Sequence, residues 1–111
     1  MADVAIGIDQ SLTAAGLVAI DIETCEVIHS QVLRSKPGPD RYTVLYEGYR
    51  NFFILMDHTL GHRIVQIIRE HHAFGSEYGR EAMGAAAAIV DMAIWDHFKR
   101  GSPHAATTQV S

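Results

Sequence analysis

Between residues 42 and 60 bulky apolar side chains recur at helical spacing, at Tyr42, Leu45, Tyr46, Tyr49, Phe52, Phe53, Met56 and Leu60, whereas before and after that stretch they come in short runs. That pattern specifies a long amphipathic helix laid against a sheet. Residues 4–8, 16–20 and 27–33 precede it as three apolar or alternating runs, joined by connections too short for a crossover, so they read as an antiparallel meander. Ser35-Lys36-Pro37-Gly38-Pro39 breaks structure, Asp40 is placed to cap the helix, and Gly61 is placed to end it. Residues 64–68 are then a further strand, which the preceding helix allows to return parallel to a member of the meander. Residues 71–79 read as a loop and residues 81–100 as a second helix, poor in bulky side chains from Ala82 to Ala88. Residues 106–110 read as the start of a strand cut short. The expected class is α/β: a mixed sheet of a three-strand meander and one parallel strand, with flanking helices.

Composition narrows the function. A chain of 111 residues allows one domain, spanning residues 1–111, and excludes a separate cofactor module. Its formal charge of -4 argues against nucleic-acid binding by bulk positive charge but leaves room for a local basic patch beside an acidic site. The longest uncharged stretch of the most apolar region, residues 82–90, is far short of the roughly 20 residues that span a bilayer, so no membrane partner is expected. Asp3 and Asp9 stand where a secretory signal needs basic and apolar residues, and a single cysteine, Cys25, suits a reducing compartment. The cytoplasm is the expected location.

The chemistry concentrates at two strand ends. Asp9 follows the first apolar run and Glu70 the fourth; two carboxylates at the C-terminal ends of neighbouring parallel strands would converge into a hard-oxygen site for Mg²⁺ or Mn²⁺, the other reading of each acid by pattern alone being a helix cap or a solvated loop residue. The segment Ile6-Gly7-Ile8-Asp9-Gln10-Ser11-Leu12-Thr13-Ala14-Ala15-Gly16 resembles the first motif of RuvC-type Holliday-junction resolvases, especially phage-like members. Ile68-Arg69-Glu70-His71-His72-Ala73-Phe74-Gly75-Ser76 resembles their second, in which a strand ends in glutamate before a loop of aromatic, Ala, Phe, Gly and Ser. The resemblance implies an RNase H-like fold, a metal-dependent endonuclease acting on four-way DNA junctions, catalytic and metal-binding roles for Asp9 and Glu70, and a homodimer. The Ala-rich second helix is the expected dimer surface.

One departure matters. The resembled family carries two further acidic residues on a C-terminal helix after its fifth strand, and nothing here replaces them, so the sequence looks like the N-terminal two-thirds of a resolvase and is expected to be inactive alone. The alternative is a truncated or degenerate RNase H-like domain that binds DNA or a protein partner without catalysis. Actin-like ATPases and sugar kinases share the style of the first motif but need a second phosphate loop and lobe, for which there is no room. Among nine basic residues, Lys36 and Arg41 beside the Pro-Gly-Pro loop, and Arg80 beyond the second motif, are the expected phosphate contacts, the others reading as solvated faces. Phe74 is placed either to wedge or stack at the junction or to plug its own loop. A zinc site from His58 with His62, or His71 with His72, is disfavoured: Gly61 interrupts the first pair, and adjacent residues on extended chain point apart. One of His71 and His72 is placed to serve as a proton shuttle or phosphate donor. Cys25 lacks a basic neighbour in sequence and reads as structural.

Overall fold

Strands β1 (Asp3–Asp9), β2 (Ala14–Asp21) and β3 (Val27–Arg34) form the antiparallel meander in the computed structural model, which describes the backbone of residues 1–70, 80–101 and 106–110 and side-chain surroundings within 1–69 and 84–98. Strand β4 (Arg63–Glu70) lies parallel to β1 on its other side, and β5 (Ala106–Val110) lies parallel to β4. The order is β3-β2-β1-β4-β5. The tail segment is thus a full ladder partner, and the sheet has two parallel pairs. The β1–β4 register starts at a two-bond ion pair: Arg63 donates from Nε and Nη2 to the Asp3 carboxylate, at 3.1 and 2.8 Å. The same pair holds the Asp3 carboxyl below the usual carboxylate range, chiefly through the hydrogen bond from Arg63.

Alternation sorts the two faces. Val4, Ile6 and Ile8 of β1, Ala15, Leu17 and Ala19 of β2 and Ile64 and Ile67 of β4 are buried beneath helices α1 (Arg41–Ile54) and α2 (Arg80–Gly101). The helices add Leu45, Tyr49, Phe52, Phe53, Ile89, Val90 and Ala93 to the same core. Each large apolar side chain among them gains roughly 1.5–3 kcal/mol by leaving water, which outweighs any local preference of so short a strand. Helix α1 lies close on β3 at Gly48, where a Cβ would come within 2.9 Å of the Leu33 side chain.

Two local expectations are corrected. Asp40 precedes α1 but makes no side-chain cap, because its backbone (φ -94°, ψ 0°) is already helical rather than in the extended region a capping side chain needs. The long helix also does not run α-helical to residue 60: after Ile54 it widens into a π-helical turn, Leu55–Thr59, in which Leu60 N–H donates to Leu55 O at 2.9 Å. The widening keeps Met56 in the core and carries Asp57 toward α2. Gly61 then ends the segment with φ +74°, as expected. Among the described residues, no helix is long and apolar enough to cross a membrane.

Candidate functional site

Asp9 closes β1 and Glu70 closes β4. The parallel register pairs Gly7 with Ile68 and Ile8 with Arg69, so one residue further along each strand stand Asp9 and Glu70, at the same edge of the sheet. Asp9 is exposed and lies on the face that the helices leave open, bordering a cleft of about 710 Å³ with Gly7, Gly16, Val18, Ser30 and Ile68. Open access and a carboxylate free of hydrogen bonds to described residues make Asp9 available to an incoming cation.

The two strand ends are tied together from beneath. Arg69, immediately before Glu70, is buried on the helix-facing side and donates from Nε and Nη2 to Oε1 of Gln10, the residue after Asp9, at 3.1 and 2.6 Å. Its Nη2 also donates to the Ala87 carbonyl at 3.1 Å, and its Nη1 pairs with the Asp91 carboxylate, both on α2. A buried guanidinium is tolerable only with such a set of acceptors and a counter-charge. By sequence alone Arg69 is one basic residue among solvated faces, and Asp91 a solvated or capping acid. Strand parity does not reveal the buried position, because the irregularity between Val4 and Ala5 shifts the β1–β4 register. Below this clamp the Tyr49 hydroxyl is buried without a hydrogen-bond partner among the described residues, and burial pushes its pKa up to about 12.

A second group of expected residues gathers beside the Asp9 loop. Lys36 and Arg41 line a groove of about 580 Å³ with Thr13, Arg34, Ser35 and the Pro37-Gly38-Pro39 turn. Arg41 Nε donates to Ser35 Oγ at 3.1 Å, Ser35 Oγ bonds the Leu12 carbonyl, and Ser35 N–H donates to Thr13 O at 3.1 Å. Arg34, which no sequence motif singles out, joins them because β3 delivers it opposite Ala14, just past the loop that follows Asp9. Arg80 opens α2, with its side chain outside the described set, and Phe74, His71 and His72 lie outside the described residues. Cys25 is exposed, in a turn, with a left-handed backbone (φ 63°).

No protein-family model and no curated protein matches the sequence. Solved structures do. Thermus thermophilus RuvC in complex with a Holliday-junction substrate superposes with a TM-score of 0.73 at 20% identity, covering 96% of this chain and 64% of that one. A second Thermus thermophilus RuvC structure gives a TM-score of 0.68 at 20% identity, over 96% and 63%. The fold is that of RuvC. The chain spans less than two-thirds of the length of those RuvC structures. Within this RuvC fold, Asp9 and Glu70 occupy adjacent parallel strand ends, and the Arg34–Lys36–Arg41 groove opens at the same edge of the sheet.

Proposed function

We propose that this chain carries the core of a metal-dependent endonuclease of the Holliday-junction resolvase type, hydrolysing phosphodiester bonds in branched DNA. The observation that supports the reading most is the side-by-side delivery of Asp9 and Glu70 by β1 and β4, with Arg69 joining the residues next to them. Two hard-oxygen side chains at an open strand edge suit Mg²⁺ or Mn²⁺, which when bound activates water and offsets charge on the phosphoryl group. Asp9 and Glu70 would hold the ion. The Arg69–Gln10 clamp fixes the spacing of the two strand ends on which Asp9 and Glu70 stand. Arg34, Lys36, Arg41 and Arg80 meet backbone phosphates, positioning the duplex arms without reading sequence. Phe74 stacks or wedges at the branch point. Two copies related by a two-fold axis match the two symmetric cuts a four-way junction offers.

Cleavage of a labelled four-way junction with Mg²⁺ or Mn²⁺ tests this. In a product that also supplies the family's two further carboxylates, Asp9→Asn and Glu70→Gln each reduce cleavage at least about 100-fold while junction affinity stays within about threefold, since each removes a metal ligand and no phosphate contact. The 111 residues alone are expected to bind junctions with little or no cutting, because each missing anionic ligand loosens the ion. Cleavage undiminished in both variants refutes the assignment. Binding without cleavage by the product with all four acids favours a non-catalytic DNA-binding domain.

A further inference from the structure

At the end of the sheet away from Asp9, the π-helical turn and the last turns of α2 bring together Asp57, His58 and His97, whose potential ligand atoms lie within 4.8 Å of one another. Strand β4, eight residues long, runs between this cluster and the Asp9 edge, a span of roughly 23 Å at about 3.3 Å per step. His97 is buried, and its Nε2 lies 2.6 Å from Asp57 Oδ2. The other oxygen, Asp57 Oδ1, is buried with no hydrogen-bond partner among the described residues, and His58 Nε2 lies 3.7 Å from it. That gap is too long for a hydrogen bond. The His58 and His97 rings stand nearly perpendicular, with centroids 5.9 Å apart.

We propose that Asp57, His58 and His97 form a binding site for one divalent transition-metal ion of the zinc class, which staples the C-terminal part of α2 to the π-helical turn. Two imidazole nitrogens and a carboxylate are a borderline-soft donor set that suits Zn²⁺ and disfavours Mg²⁺, so the site is chemically distinct from the all-oxygen pair at Asp9 and Glu70. Ligand bonds of about 2.0–2.1 Å in tetrahedral geometry place donor atoms roughly 3.3 Å apart. The donor atoms lie within 4.8 Å of one another, so the widest separation closes by up to about 1.5 Å, and the 3.7 Å between Asp57 Oδ1 and His58 Nε2 by a few tenths of an ångström. His58, with its side chain 70% exposed, makes that adjustment freely. Asp57 ligates through the buried Oδ1, which thereby gains a partner, and the ion replaces the His97 Nε2 contact with Oδ2. Water completes the fourth position. A π-helical turn is itself an uncommon feature that recurs at functional sites, and here it is the element that brings Asp57 and His58 to His97.

Titration of the full chain with Co²⁺, read by visible absorption, tests the site. Wild type is expected to develop the intense bands of a four-coordinate ion at one equivalent, and Zn²⁺ in hundredfold excess over its Kd to raise Tm by about 10 °C. His58→Ala, an exposed substitution whose fold is checked by circular dichroism, abolishes the bands and the Tm shift; a His71→Ala/His72→Ala double variant and Asp9→Asn retain both. His97→Gln gives a second reading, with the same loss expected. Absence of bands in wild type overturns the proposal, as does their survival in His58→Ala or their loss in the His71→Ala/His72→Ala variant.

Discussion

Arg69 is 3% exposed yet carries a full charge, so its worth lies in its acceptors: Gln10 Oε1 and the Ala87 carbonyl inside, and the exposed carboxylate of Asp91. Arg69→Met keeps the apolar stem but strands the Gln10 oxygen and removes the Ala87 carbonyl's second donor, while Asp91 stays in water. The expected loss is about 2–4 kcal/mol in urea unfolding, with weaker Mn²⁺ binding at Asp9. Tyr49 presents the opposite case, a buried hydroxyl with no hydrogen-bond partner among the described residues. Tyr49→Phe is expected to leave stability at neutral pH unchanged or to raise it by up to about 1 kcal/mol. Burial lifts the folded phenol from an ordinary 10 to about 12, so ionisation favours the unfolded chain and wild-type stability, complete below pH 10, falls as pH climbs toward 12. Melts across that window should show a smaller fall in Tyr49→Phe. The strand-end positions of Asp9 and Glu70 were legible in the sequence because each closes an apolar run. Arg69 was not, since its partners lie 59, 22 and 18 positions away and only the folded register joins them.

At the scale of elements, period and punctuation carried most of the information. The strands were legible from apolar alternation, and the end of the long helix from Gly61. The ladder extends each meander strand beyond its apolar run, because backbone pairing continues through polar residues such as Asp9 and Arg34. The π-helical turn left no signal, as a residue inserted into a helix rotates the face presented by the downstream turn without changing composition. Asp57 and His58 are adjacent in sequence, but His97 comes from another helix, so spacing along the chain could weigh His58 only with His62, a pairing it disfavoured. The Gly61 backbone is left-handed in open surroundings, where a Cβ would meet nothing within 4 Å. Gly61→Ala therefore isolates the backbone term, and thermal melts should show a loss of about 1–2 kcal/mol. An unchanged Tm would mean that the chain can leave the helix by another route.

For the molecule as a whole, both helices pack on one face of the sheet and leave apolar surface turned outward between them. Tyr42, Tyr46, Ala85, Ala88 and Met92 line a groove of about 460 Å³, and Met92 and Trp95 are each more than half exposed. Within the Ala-rich helix, Ala86 faces the core, so a glutamate there would unfold the chain rather than probe assembly. Ala88 and Met92 are the informative positions. Burying a glutamate without a partner in an apolar interface costs several kcal/mol, whereas on an exposed helix it costs little. Met92→Glu and Ala88→Glu are therefore expected to melt within a few degrees of wild type yet sediment as monomers, against the dimer expected of the wild type. The coupling to the proposed activity comes from symmetry: two-sided resolution of a four-way junction needs two sites held by one two-fold axis. In a cleavage-competent product the monomeric variants should keep single-strand nicking and lose paired cuts, so that nicked junctions accumulate in place of resolved duplexes. A Met92→Glu protein that remains dimeric would move the interface off this groove.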